Sequence, residues 1–426
     1  MKPNVLILIS HDTGRHISPY GIKTVDTPNF ERLSDGALRF SNAFCTTPQC
    51  SPARAALFSG LYPHSAGVMG NVGKDKGWNF PDDREHLSSM LRRRGYQTWL
   101  LGMLHESYTP DRLGFDAIGR HKLAGTESAA LFDKCLADRD KGRPFYCQIG
   151  FHETHRPFLR WGITPDDSKG ITVPGYLHDG PGTRRDLAEL QGMIRQLDES
   201  VGKVLDMLDV HGLRDNTIVI VTTDHGLPMP HAKGTLYDSG TGVMLFMRYP
   251  AGQWRVGAAD DYVSHVDLIP TLLEEIGEEP PEYLQGRSLV PLLHNQPLEP
   301  QPVFTEKTHF HFYDPMRAIR TEKFKYIKNF EFGRQTEVLA DYIHTDTFRE
   351  LDNRYGKGHP EDELYDVEND PDELNNLAED GSYAAIKDGL ERKLCAWMKN
   401  TADPLLERPI PSPFYERIVE RFKNFK

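Results

Sequence analysis

The stretch CTTPQCSPARAALFSGLYPH, Cys45 to His64, sets a thiol at Cys50 just upstream of Pro52 and Arg54. Three chemistries compete for that thiol. It could be a small buried hydrophobe, a thiolate nucleophile whose pKa a helix amino end lowers, or a modified cysteine. Pro52 suits the first position of a helix that ARAALFSG continues, so Cys50 is expected beside the free N–H groups of a helix amino end, where an anion can sit. A core cysteine gains nothing from that placement. A phosphatase-type thiolate loop would need an arginine six positions on, and residue 56 is Ala.

Other side chains able to ligate a metal or move a proton stand directly after short apolar runs. NVLILIS leads into His11-Asp12, YQTWLLG towards His105, PFYCQIG into FHETHR with His155, and NTIVIVTT into Asp224-His225. Runs this apolar predict strands buried on both faces, as in a parallel sheet with helices on either side. Ligands of open α/β sheets gather outside the carboxyl ends of the strands, so four such ends predict one shared site. Taken singly, an aspartate after a strand is as readily a turn or a helix cap. A single histidine is as readily structural or solvated. Their register at four strand ends is what favours a site.

The elements that must hold these residues have readable limits. Glu85–Arg94 predicts a helix with Leu87, Met90 and Leu91 on one face, closed by RRRG. A longer helix is predicted from about Arg184 to Leu208, with Leu187, Leu190, Ile194, Leu197, Val201, Val204 and Leu208 along one stripe before His211-Gly212. GEEPPEYLQG reads as a surface turn after a helix at DLIPTLLEEIG. After about Pro300 the texture changes to strand-like pieces such as FKYIKNFEF and an amphipathic helix at IKDGLERKLCAWM. The expectation is therefore a large α/β domain over residues 1–300 and a smaller α+β domain over 301–426.

Composition limits the functional classes. The chain has 426 residues, 38% hydrophobic and 26% charged, an ordinary water-soluble profile. Its formal charge of −12 argues against a nucleic-acid surface or an anionic membrane. The five cysteines lack framework or metal-ligand spacing and are expected to be reduced. The apolar run at MKPNVLILIS is too short to span a bilayer and ends at Ser10-His11-Asp12, which predicts a cytoplasmic chain.

CSPAR (Cys50 to Arg54) followed by AALFSGLYPHSAGV resembles the sulfatase signature, in which the cysteine of Cys-x-Pro-x-Arg is oxidised to formylglycine. NVLILISHD, FHETHRPF, TTDHG and ELYDVENDPDELNNLA resemble further landmarks of that family, in order. DHGLPMPHAKGTLYDSG and DPMRAIRTEKFKYIKN are similar in particular to its heparan N-sulfatase, or sulfamidase, group. The resemblance implies an alkaline-phosphatase-like fold: a large mixed, mainly parallel sheet sandwiched by helices, with a smaller C-terminal domain. It also implies a formylglycine at Cys50 made by a maturation enzyme, one divalent metal, and a small sulfated sugar as substrate, most readily N-sulfoglucosamine. It leaves room for a homodimer. A hydrated aldehyde offers two hydroxyls on one carbon, one to attack sulfur and the other to release sulfate.

Carried over by position, the resemblance makes Arg54, His105, His155 and Lys233 catalytic or sulfate-binding groups and places the metal at His11, Asp12, Asp224 and His225. The family pattern there is Asp-Asp and Asp-Asn, so two imidazoles replace oxygen donors. That shifts the expected ion from calcium towards manganese, zinc or iron. Met103 stands where the family's Gly-Lys-x-His motif has lysine, and a thioether cannot bear charge. His152, Glu153 and Arg156 are expected to line the sugar pocket. His309 and His311 of THFHFYD are expected to reach it from the smaller domain, although a solvated polar strand would read the same way. Two alternatives stay open. Asp224-His225 also resembles the phosphonate monoester hydrolase and phosphodiesterase branch of the superfamily, and Met103 suits a binding protein that has lost catalysis.

Overall fold

The computed structural model describes residues 2–119, 125–249, 253–333, 335–351 and 358–424. Nine strands build the larger sheet: β1 (Asn4–Ser10), β2 (Leu38–Phe44), β3 (Gln97–Gly102), β4 (Ala117–Gly119), β5 (Phe145–Gly150), β6 (Thr217–Thr223), β7 (Gly242–Val243), β8 (Leu245–Arg248) and β9 (Gly257–Ser264). Their order is β4-β3-β5-β1-β6-β8-β2-β7, with β9 beside β2. The four apolar runs are β1, β3, β5 and β6, adjacent and mutually parallel. The antiparallel β8 joins the β6 edge.

Burial on both faces explains why those runs do not alternate apolar with polar. Val5, Ile7 and Ile9 of β1 face one core with Ala53, Leu57 and Phe58 of the helix Cys50–Ser59 and with Leu87, Met90 and Leu91 of the helix Leu87–Arg93. Leu6 and Leu8 face the other core, against Leu187, Leu190, Ile194, Leu197, Val201, Val204 and Leu208. The long helix runs from Pro181 to Val210, a turn longer at its start than the stripe of leucines predicts, because Pro181 opens it. Each such side chain contributes about 1.5–3 kcal/mol by leaving water. Together the two cores fix the strand ends rigidly. Among the described residues no helix is long and apolar enough to cross a membrane, and all five cysteines are free thiols.

A second, antiparallel sheet follows, ordered β10 (Val303–His309), β11 (Tyr313–Arg320), β12 (Phe324–Asn329), β13 (Asp362–Asp366). The helix Ala384–Asn400 covers it, burying Leu390, Leu394, Trp397 and Met398 against Ile319, Tyr326 and Leu364. Trp397 stacks flat on Phe304 and edge-on to Tyr62, which lies just past the Cys50 helix. Buried charges tie the sheets further. Glu306 of β10 accepts from the His64 backbone N–H and meets its Nδ1 at 2.5 Å. The fully buried Arg317 of β11 pairs with Asp403 at 2.5 and 3.1 Å.

Candidate active site

Every one of the four parallel strands ends in a chemically capable residue, and the ends converge. His11 and Asp12 follow β1, Met103 and His105 follow β3, His155 follows β5, and Asp224 and His225 follow β6. The close packing is visible at Gly150, where a Cβ would lie 2.0 Å from the Met103 carbonyl. Asp12 sits at φ +49°, a left-handed backbone that costs an L-residue about 1–2 kcal/mol. Asp224 helps hold that turn, its Oδ1 accepting from the Asp12 and His225 N–H groups at 2.9 and 3.0 Å.

Cys50 opens its helix, with Gln49 as N-cap, so Pro52 is the third helical residue and not the first as its spacing suggested. The difference costs no hydrogen bond, since N–H groups of the first turn have no intrahelical partner. Cys50 is 3% exposed, with its sulfur 3.2 Å from His225 Nε2 and 3.7 Å from Asp12 Oδ1. Although burial pushes its thiol up, Lys233 and His225 hold it well below the ordinary range, against the repulsion of Asp12. Arg54, in the same helix, donates through Nε to Asp224 Oδ2 at 3.1 Å and through Nη2 to the Ser10 carbonyl at 2.9 Å. Its Nη1 is buried without a partner.

His11, Asp12, Cys50 and Asp224 each offer an atom within 4.8 Å of the others, all buried. His225 joins them through Nε2, 3.0 Å from Asp12 Oδ1. His11 Nδ1 lies 3.0 Å from Asp224 Oδ2, yet no hydrogen bond satisfies it. Burial, the largest influence, lowers the His11 imidazole, but Asp224, Cys50 and Asp12 together more than reverse that and raise it to about 10. Burial likewise lowers His225, and Asp224, Cys50 and Asp12 together raise it well above its ordinary value. Two carboxylates thus draw positive charge onto two imidazoles, each with a nitrogen 3.0 Å from one of them. This donor set fits a divalent cation, and its mix of imidazole nitrogen and carboxylate oxygen fits manganese, zinc or iron better than calcium.

Lys233 is buried, its Nζ 2.7 Å from Asp12 Oδ2 and 2.6 Å from Asp341 Oδ2. His155 packs edge-on to His11 with ring centres 5.2 Å apart, and its Nδ1 donates to the Arg156 carbonyl at 2.6 Å, which leaves Nε2 as the nitrogen open to exchange. A His105 ring nitrogen lies within 4.8 Å of both Cys50 and His11. Met103 Sδ stands 2.7 Å from His11 Nε2. Asp341 had no motif or strand end to announce it. It lies in an irregular charged stretch before β13, and only the tertiary fold brings it here. Glu106 was equally silent, accepting from the His105 N–H at 3.0 Å and Gln148 Nε2 at 2.9 Å.

The expected sugar-pocket residues divide. Arg156 does line a cavity of about 400 Å³ with Phe158, Glu189, Asp341 and His344, but its guanidinium is already bound in bidentate fashion by Asp186 at 2.5 and 2.6 Å. His152, half-buried, stands in the same strand-end loop. Glu153 is fully buried and accepts from the Gly125 N–H and Gln196 Nε2, so it holds the loop. His309 and His311 line a different groove, with Tyr313, Arg408, Ile410 and Tyr415. His309 Nε2 meets the Ile410 carbonyl at 3.0 Å, and His311 pairs with Glu337 at 3.3 Å, so local partners, not the catalytic cluster, take both.

Comparison with known proteins bears on this geometry. Residues 3–277 match the family model described as Sulfatase, and residues 225–361 match N-sulphoglucosamine sulphohydrolase, C-terminal. The chain is 30% identical to human (Homo sapiens) N-sulphoglucosamine sulphohydrolase, over 95% of this chain and 92% of that one. A protein solved in complex with its substrate D-glucosamine-2-N,6-O-disulfate shares the fold with a TM-score of 0.76 at 20% identity, covering 96% of this chain and 99% of that one. The phosphonate monoester hydrolase of Agrobacterium radiobacter does so with a TM-score of 0.74 at 22% identity, covering 94% and 96%.

Proposed function

Because this chain belongs to the sulfatase family, we propose that it hydrolyses the sulfate of a small sulfated sugar, with an N-sulfoglucosamine unit as the group attacked. The observation that carries the reading is the convergence of Cys50, His11, Asp12, Asp224 and His225 on one buried point. The 30% identity to human N-sulphoglucosamine sulphohydrolase along nearly the whole chain supports the choice of sugar. A formylglycine at Cys50 supplies an oxygen nucleophile that can be regenerated, and a divalent ion held by His11, Asp12, Asp224 and His225 supplies Lewis acidity.

The chain's own residues do the remaining work. Arg54 fixes Asp224 and leaves Nη1 to meet a sulfate oxygen. Lys233 supplies fixed positive charge where the sulfate's negative charge must sit. His155, with Nδ1 tied to a carbonyl, presents Nε2 to protonate the leaving group. His105, held by Glu106, flanks the position of attack.

Turnover of glucosamine N-sulfate, an aryl sulfate and an aryl phosphonate ester by metal-loaded protein tests the reading. Preference for the sulfamate is expected, and loss of turnover in Cys50→Ala. Preference for the phosphonate would instead establish the phosphonate monoester hydrolase reading, which Asp224-His225 and the shared fold favour. Binding of sulfated sugar without turnover would establish the non-catalytic reading, for which Met103 speaks.

A further inference from the structure

We propose that Asp341 makes this site selective for sulfamates over sulfate esters, by accepting a hydrogen bond from the N–H of the bond that breaks. The inference rests on the sulfohydrolase reading and assigns within it a residue that decides the substrate. Asp341 reaches the cluster from the segment between β12 and β13, far from the four strand ends. One face of it belongs to the catalytic cluster: Oδ2 takes Lys233 Nζ at 2.6 Å, and a carboxylate oxygen lies within 4.8 Å of both Asp12 and a His155 ring nitrogen. The side chain as a whole is 24% exposed, and Asp341 also lines the 400 Å³ cavity with Phe158, Glu189 and His344. Among the described residues Lys233 is the partner of its side chain, and Oδ1 has no hydrogen bond.

A fixed carboxylate beside a site for a sulfate group repels its substrate, so its placement calls for a compensating contact. Burial pushes the Asp341 carboxyl up, but Lys233, opposed by Asp12 and helped by His155, holds it below the ordinary range, so it stays an anion. The two substrate classes differ at one atom. The nitrogen of a sulfamate carries a hydrogen and can donate to Oδ1. The bridging oxygen of an ester carries none and would turn a lone pair towards a carboxylate. The difference grows through the reaction. As oxygen bonds to sulfur, the S–N bond breaks with its electron pair remaining on nitrogen, which takes a proton from His155 Nε2 to become an amine. That amine is a base that binds a second proton from water, and Asp341 then faces a cation. A site built to accept from N–H discriminates strongly against an analogue without one.

The test compares kcat/KM for glucosamine N-sulfate and glucose 2-sulfate, which differ only in N–H against O at the scissile bond. In the wild type the sulfamate should be preferred, and Asp341→Asn should lower that preference roughly ten- to a hundredfold, the worth of a hydrogen bond to a charged group. An equal loss on both substrates would mean that Asp341 only anchors Lys233, and would overturn the proposal. So would a wild-type enzyme that prefers glucose 2-sulfate, with the sulfatase reading intact. Turnover of aryl phosphonate alone would instead remove the underlying reading, and the proposal with it. A measurement on the wild type needs no variant to fold: glucosamine should inhibit about tenfold or more below the concentration at which glucose does, and equal inhibition would refute the assignment.

Discussion

The contact between His11 and Met103 allows a quantitative test of how charge is balanced in the site. Where the resemblance implies an aspartate and a lysine, this chain has His11 and Met103. The two side chains touch, Nε2 to Sδ at 2.7 Å. Restoring lysine alone, Met103→Lys, would set an ammonium against an imidazole that Asp224, Cys50 and Asp12 together have already driven up to about 10, in surroundings where His11 is fully buried. Two unit charges about 4 Å apart at an effective dielectric of 20 interact by about 4 kcal/mol. Restoring aspartate alone, His11→Asp, would add a third carboxylate beside Asp12 and Asp224. Both together would replace repulsion by attraction. A double-mutant cycle on the four proteins, held metal-free with a chelator and unfolded in urea, should give a favourable coupling of about 2 kcal/mol or more, after the introduced ammonium has lost part of its protonation. Coupling within about 0.5 kcal/mol of zero, the range of independent sites, would refute the claim that the two positions exchange charge.

Three further outcomes are expected. Burial first, then Lys233, lower the His155 pKa below its ordinary 6.5, so the protonated donor is lost as pH rises through that lowered value. Turnover should fall across the same interval, and a pH profile of His155→Ala with an unchanged limb would contradict the assignment. Adding manganese or zinc to chelator-treated protein should raise the thermal midpoint more than calcium does, with about 2.7 kcal/mol gained at a hundredfold excess over Kd; an equal rise with calcium would exclude selectivity by His11 and His225. Arg317→Met leaves Asp403 buried without its cation and should cost about 3–5 kcal/mol in urea unfolding, whereas a loss under about 1 kcal/mol would show a surface-like pair.

The sequence reveals those parts of the fold in which one residue's surroundings are set by its neighbours along the chain. The runs before His11, His105, His155 and Asp224 are uniformly apolar because both faces of β1, β3, β5 and β6 are covered, and that alone places four chemical groups at one sheet edge. Cys50 was legible through the helix that follows it. Asp341 was not, because its role depends on Lys233, over a hundred positions away, and no periodicity encodes such a meeting. The same blindness explains Arg156 and Glu153. Each is a polar residue in a promising loop, and only the fold shows that Asp186 occupies the first while Gly125 and Gln196 occupy the second. His309 and His311 sit in a separate groove, His309 against the Ile410 carbonyl and His311 against Glu337, and not on the solvated strand of the alternative reading.

The ties between the two sheets have a consequence for how such enzymes can diversify. His64 and Tyr62, just past the Cys50 helix, meet Glu306 and Trp397 from the later sheet and its helix, while Lys233 meets Asp341 from the stretch joining β12 to β13. A chimera that exchanged residues after 300 with a distant cousin would strand an imidazole, a phenol ring and an ammonium at once. Changes of sugar preference should therefore arise by drift within the tail's loops, residue by residue, and wholesale grafting of tails should yield insoluble or inert chains.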